Sequence, residues 1–238
     1  MPEQMKTLVI VPAFNEEGSL PDLLDELRSY RDRYDVLVVD DGSRDNSAQI
    51  ARERRVPVVQ LPANLGIGGA VQTGFKYAVA KNYDIAVQLD GDGQHDPAWL
   101  DLVIAPILQG EANCVIGSRY LRESFDREYR TPFFRRIGMI FSSFVLFMAT
   151  GKWITDTTSG FRALDRKTLM YFSTEYPIDH PEAEALLMLF QKGFAIKEVP
   201  VKMRSRQAGT SLFTWVKAIK YPVRVLIGFL GLLIQRKR

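Results

Sequence analysis

The first 120 residues alternate between short unbroken apolar runs and longer segments in which leucine or alanine returns every three or four positions. TLVIVP (7–12), YDVLVVDDGS (34–43), PVVQL (57–61), DIAVQLD (84–90) and NCVIGSR (113–119) read as strands, short and rich in β-branched residues. Between them, Ser19 is placed to cap a helix to about Tyr30 that sets Leu20, Leu23, Leu24 and Leu27 on one face. Asp45 to Arg54 reads as a second helix. A glycine-rich start at residue 64 leads into a third, ending near Asn82, and Pro97 suits the first turn of a fourth. Strand and helix alternating at this spacing predict an α/β fold, a mainly parallel sheet with helices on both faces.

Beyond residue 130 the pattern changes. TPFFRRIGMIFSSFVLFMATG (131–151) is apolar except for Arg135, Arg136, Ser142 and Ser143, whose seven-residue spacing predicts one narrow polar stripe on a helix. FTWVKAIKYPVRVLIGFLGLLIQRKR (213–238) is apolar and laced with Lys and Arg. Its uninterrupted run, Val225 to Ile234, is ten residues, half of the roughly 20 that cross a bilayer. The expected organisation is one α/β domain over residues 1–211 and a basic amphipathic segment over 212–238.

Composition sharpens this. With 46% hydrophobic residues the chain can bury a substantial core. The single cysteine, Cys114, excludes an internal disulfide, and its apolar setting predicts a buried thiol in keeping with a reducing compartment. No basic stretch followed by an apolar signal core opens the chain, so secretion is not expected. The net charge of +3 is unevenly spread: nine Lys and Arg and no acid follow Glu198, leaving about −6 on the first 198 residues. A basic apolar tail suits an anionic membrane surface. It suits nucleic acid less, because single-strand binders interleave exposed aromatics with charge.

In parallel α/β sheets, ligands gather at the carboxyl ends of the strands. Here those ends carry Asn15–Glu16, Asp40–Asp41, Asp90–Asp92 and Arg119. Asp90 and Asp92 lie one residue apart in LDGDGQHDP. At strand spacing both would point the same way, and two such carboxylates repel unless a cation lies between them. Hard oxygen ligands suit Mg²⁺ or Mn²⁺, Gln94 can add an amide oxygen, and His95 is a softer candidate. The plain alternative is a solvated turn, since Asp and Gly are common turn formers. Asp40 is placed to accept hydrogen bonds from a base or ribose. NLGIGGA puts backbone N–H groups at a helix start, where they can face an anion. The chain has neither a G-x-G-x-x-G fingerprint nor a GK[ST] phosphate loop, which disfavours dinucleotide oxidoreductases and P-loop NTPases.

IVPAFNEEGSL, VLVVDDGSRDNS, NLGIGGAVQTGF, LDGDGQHDP and VIGSRY, continued by DTTSGFRALDRK and GFAIKEVPVKMRSRQAGTS, together resemble the family 2 glycosyltransferases. The likeness is to the dolichol-phosphate mannosyltransferase and polyprenyl-phosphate glycosyltransferase group. It implies a GT-A fold and inverting transfer from a nucleoside-diphosphate sugar, with Mg²⁺ or Mn²⁺ as cofactor. By the same resemblance, Pro12, Phe14, Asn15, Glu16 and Asp40 bind base and ribose, with Gly66 and Gly69 nearby. Asp90, Asp92 and Gln94 hold the metal and diphosphate. Arg119 meets an acceptor phosphate, with Arg130 and Ser159 as further acceptor contacts. Asp156 lies near the reacting centre, and Arg206 belongs to an R-x-x-G-x-S loop that closes on the donor.

The acceptor stays open between two chemistries. A sugar hydroxyl on a lipid-linked or cell-surface glycan requires a general base, and Asp156, Glu182 and Glu184 are the candidates. A polyprenyl phosphate is already ionised and requires cations instead, which Arg119, Arg122, Arg127, Arg130, Arg135 and Arg136 could supply. Glu182 and Glu184 also suit a helix N-terminus with no further role, and the HPEAE stretch resembles relatives that build bacterial surface glycans. The enzyme is expected at the cytoplasmic face of a membrane, attached peripherally, with the apolar helices on the bilayer or in a homo-oligomer interface.

Overall fold

The computed structural model describes residues 5–121, 133–177 and 181–204. Seven strands form one sheet: β1 (Thr7–Ala13), β2 (Asp35–Asp40), β3 (Val58–Gln60), β4 (Ile85–Gln88), β5 (Cys114–Ser118), β6 (Arg162–Asp165) and β7 (Ile196–Pro200). Their order across the sheet is β3-β2-β1-β4-β6-β5-β7. The β1 pairs with β2 and β4 are parallel, as are β2–β3 and β5–β7, whereas β6 is antiparallel to both of its neighbours. All strands but β6 therefore finish at one edge. The reversal of β6 carries the loop ahead of it, residues 156–161, to that same edge.

Every residue of β1 is buried because helices cover both faces. Leu8 and Ile10 point into a core with α3 (Gly66–Ala80), α6 (Arg166–Thr174), α7 (Pro181–Gln191) and Leu146 of α5 (Phe133–Thr150). Val9, Val11 and Ala13 point into the opposite core with α1 (Leu20–Leu27), α2 (Ser47–Glu53) and α4 (Leu100–Leu108). Full burial of each large aliphatic side chain stabilises by about 1.5–3 kcal/mol. At Gly74 in α3 an added Cβ would come within 2.5 Å of Ile10, so the glycine lets that helix lie close on β1.

Three expectations need correcting. Ser19 stands at the start of α1 but makes no side-chain cap; its hydroxyl lies 2.9 Å from the Gly91 carbonyl and 2.8 Å from Glu16 Oε2. The serines of α5 do not belong to an outward polar stripe, since Ser142 and Ser143 are buried. Ser143 satisfies its hydroxyl on the Met139 carbonyl one turn back, at 3.0 Å. Past the exposed Arg136, the exposed side of α5 is instead apolar: Ile137, Ile140, Phe144, Phe147 and Met148. Third, β4 ends at Gln88, so Asp90 and Asp92 occupy a turn and strand alternation does not set their directions.

Cys114 is buried as expected, and burial pushes its thiol pKa up to about 12. An aromatic disulfide reagent at pH 8 should leave the native chain unlabelled and react once denaturant is added; rapid native labelling would contradict this burial. The segment 212–238 and its boundary lie outside the described residues. No helix among the described residues is long and apolar enough to cross a membrane.

Candidate active site

The loops that follow β1, β2 and β4 meet at the carboxyl edge. Asn15 adopts a left-handed backbone (φ 55°), donates its N–H to Ser43 Oγ at 3.0 Å and accepts the Arg44 N–H on Oδ1 at 2.8 Å. Glu16 donates its N–H to Ser47 Oγ at 2.9 Å. These bonds tie the first loop to the second. Phe14 is half-buried beside them, and Pro12 is buried in β1. Asp40 ends β2 with both carboxylate oxygens buried and no hydrogen-bond partner among the described residues. Such a group is costly to keep unsatisfied, which marks it as a place where a ligand donor fits.

Asp41, one residue on, explains the glycine-rich helix start differently from the sequence reading. Its Oδ1 accepts the Leu65 N–H at 2.7 Å, so the anion at the start of α3 is the protein's own carboxylate. Burial raises the Asp41 pKa, against the pull of the Leu65 and Gly66 amides. Gly66 has φ +78°, and at Gly69 an added Cβ would lie 2.5 Å from Leu65 Cβ.

The acidic turn is held on several sides. Gly91 donates to the Pro12 carbonyl at 3.2 Å, and a Cβ there would sit 2.9 Å from that oxygen, so no larger residue fits without movement. Gln88 Nε2 donates to Asp90 Oδ1 at 3.0 Å. Asp90 Oδ2 lies against Gly160, where a Cβ would approach to 2.4 Å. Asp92 Oδ1 accepts the Gln94 N–H at 3.0 Å. Arg204 donates its N–H to the Gln94 carbonyl at 2.9 Å, and its guanidinium bridges Glu26 (2.7 Å) and Asp96 (2.9 Å). This clamp binds the acidic turn to α1 and to the chain leaving β7. Neither Glu26 nor Arg204 stood out in the sequence, because their partners lie far away along the chain.

Among the described residues no group of three or more His, Cys, Asp or Glu could hold a metal ion. The turn offers two carboxylates, Asp90 and Asp92, and the Gln94 amide, whose Nε2 donates towards the Arg204 carbonyl at 3.5 Å. A small all-oxygen set fits Mg²⁺ or Mn²⁺, which keep waters and take further ligands from a bound phosphate. His95 turns inward: Nδ1 accepts the Asp90 N–H at 3.1 Å, and the ring is only 1% exposed.

Across the edge, Arg119 and Asp156 form a buried ion pair, with side chains 4% and 0% exposed. Arg119 Nε and one terminal nitrogen each donate to Asp156 at 2.7 Å, and that nitrogen also reaches Thr158 Oγ1 at 2.9 Å. Burial alone would raise the Asp156 pKa, but the hydrogen bonds and charge of Arg119 outweigh it and hold the carboxyl below its ordinary value. Glu198 supports the pair from β7, accepting the Thr155 and Asp156 N–H groups at 2.8 and 3.0 Å. Arg119 and Asp156, both expected near the reacting centre, are thus brought together as one buried ion pair. Ser159 is likewise buried, its hydroxyl donating to the Gly117 carbonyl at 2.7 Å. Arg136, at the start of α5, is exposed and lies 5.9 Å from the Tyr120 ring, which Arg119 approaches to 5.4 Å. Arg130, Arg206 and the side chain of Glu182 fall outside the described residues; Glu184 is half-buried on α7.

A mostly parallel seven-stranded sheet between two helical layers, with its acidic turn at the carboxyl edge, is the architecture of a GT-A glycosyltransferase. Residues 8–171 match the family model described as Glycosyl transferase family 2, and the chain belongs to that family. It is 33% identical over 215 residues to a UDP-N-acetylglucosamine–dolichyl-phosphate N-acetylglucosaminyltransferase of Methanococcus voltae, covering 82% of this chain and 84% of the relative. It is 30% identical over 223 residues to the polyprenol monophosphomannose synthase of Mycolicibacterium smegmatis, covering 87% and 80%. An undecaprenyl-phosphate mannosyltransferase of Micrococcus luteus is 32% identical, covering 87% of each chain. The fold is shared with crystalline glucosyl-3-phosphoglycerate synthase of Mycobacterium tuberculosis, solved with Mn²⁺, UDP and glucosyl-3-phosphoglycerate (TM-score 0.72, 22% identity, 95% of this chain and 79% of that one).

Proposed function

We propose that this glycosyltransferase moves a sugar from a nucleoside-diphosphate donor to a polyprenyl phosphate at a membrane surface. The observation that carries the choice of acceptor is the buried Arg119–Asp156 pair. The carboxylate nearest to a base role is fully buried with both oxygens on Arg119, and a hydroxyl acceptor requires a base within reach. A phosphate acceptor requires none. Three relatives named for dolichyl, polyprenol and undecaprenyl phosphate support the same reading.

The donor's base and ribose would lie against Phe14, Asn15, Glu16 and the carboxylate of Asp40, whose buried oxygens have no partner among the described residues. Asp90, Asp92 and Gln94 would hold Mg²⁺ or Mn²⁺; the fold neighbour solved with Mn²⁺ and UDP supports a divalent ion. When bound, that ion offsets the charge of the departing diphosphate. The lipid phosphate would meet exposed Arg136, and Arg130 ahead of it.

The apolar face of α5 fits the bilayer boundary. Met148 on that face is 69% exposed, and no Asp or Glu occurs between Tyr129 and Thr155, a composition complementary to anionic lipid. Trp153, just past α5, is half exposed and suits the headgroup level. The basic segment 212–238 would add to this attachment. Replacing Phe144 and Phe147 together by Glu removes two large apolar contacts worth about 1.5–3 kcal/mol each. Co-sedimentation with phosphatidylglycerol vesicles should fall more than about tenfold. Unchanged pelleting would count against this face.

A further inference from the structure

His95 lies in the acidic turn but is built into the core. Its ring stacks on Phe161 with centroids 5.2 Å apart and planes 23° apart. Phe161 is itself fixed, since its carbonyl accepts the Gly117 N–H at 2.8 Å and a Cβ on Gly117 would lie 3.0 Å from its ring. The His95 backbone forms an antiparallel bridge with Met203. Nδ1 of the stacked ring accepts the Asp90 N–H at 3.1 Å. An accepting ring nitrogen carries no proton, so the proton sits on Nε2. Nε2 is buried and has no partner among the described residues.

We propose that His95 is a positioning residue for Asp90, its Nδ1 fixing the Asp90 backbone so that the carboxylate stays between Gln88 Nε2 and Gly160. This rests on the reading of Asp90 as a metal ligand. It differs from the first-line ligand assignments in predicting which atom of residue 95 matters. The Asn amide hangs from Cγ as Nδ1 does, so His95→Asn keeps a polar atom within reach of the Asp90 N–H. His95→Gln moves its amide one bond further out, near Nε2. His95→Leu retains packing volume and removes the acceptor.

The test is Mn²⁺ alone titrated into the full chain, with free Mn²⁺ read by electron paramagnetic resonance. Partners that orient a ligand typically contribute about 10–100-fold to metal affinity. His95→Gln and His95→Leu should therefore weaken Mn²⁺ binding by about tenfold or more, with His95→Asn close to wild type. Gln binding as tightly as wild type, or Asn binding as weakly as Gln, would overturn the proposal while leaving the metal site standing. Wild type binding no better than Asp92→Ala would overturn the metal reading itself. A measurement without any change at position 95 stands beside these. The chain has two histidines, His95 and His180, so His180→Gln leaves one imidazole for ¹⁵N NMR. An unprotonated Nδ1 and protonated Nε2 are expected; a proton on Nδ1 would contradict the assignment.

Discussion

Asp92→Ala is expected to lower the rate of sugar transfer by about 10²–10³-fold, the loss typical when one group that stabilises developing charge is removed. Asp92 sits in the turn between Gly91 and Gly93, the latter with φ +73°, and is one of only two carboxylates the turn provides. Its Oδ1 bond to the Gln94 N–H is a local one, worth about 0.5–1.5 kcal/mol, and urea denaturation of the variant checks that the fold is kept. Donor and metal binding should weaken together, because the turn would hold an ion that offsets the diphosphate charge. Turnover within a few-fold of wild type, measured with a radiolabelled nucleotide sugar at saturating Mn²⁺, would refute the metal assignment.

The second large effect is on stability. Asp156→Ala breaks the buried pair with Arg119, a loss that typically costs about 3–5 kcal/mol, a large part of a typical domain's stability. Joint replacement, Arg119→Met with Asp156→Leu, should recover most of that loss, because the pair's desolvation cost goes with it. Urea denaturation of the single and double variants reads this directly; an Asp156→Ala chain as stable as wild type would mean that the pair does not form. The pH dependence has a definite sign. The Asp156 pKa is depressed by Arg119, so its contribution is present above the ordinary carboxylate value of 3.8 and is lost as pH falls through the lower folded value. Asp41 works the other way: its raised pKa makes its ionised form a small penalty that lifts on acidification. Asp156→Asn should therefore flatten the acid limb of the stability curve, and Asp41→Asn should not.

These two carboxylates also mark how far the sequence could be read. Fully buried strands such as TLVIVP and VLVVD announce themselves as apolar runs, and acids at their ends mark the ligand edge. The fold class and the acidic turn followed from that. β6 did not, because its RALD sequence has charged ends; Arg162 is buried only by donating to the Ser159 and Thr157 carbonyls. β7 is an edge strand, and IKEVP lacks a continuous apolar run. Missing β6 hid the pairing of Arg119 with Asp156, which depends on the reversed strand returning residues 156–161 to the site. The stripe on α5 misled for a related reason. A serine that bonds back to its own helix can be buried, so hydroxyl spacing does not mark the solvent face.

A polyprenyl phosphate is the expected acceptor of the sugar. The direct measurement is a transfer assay with a panel of radiolabelled nucleotide sugars, Mn²⁺ or Mg²⁺, and undecaprenyl phosphate as sole acceptor. Label entering an organic-extractable product labile to mild acid is the predicted result, and the donor that supplies it is identified in the same experiment. Donors that are bound or slowly hydrolysed without any lipid product would contradict the claim and turn attention to a hydroxyl acceptor, with Glu182 and Glu184 as the bases to replace.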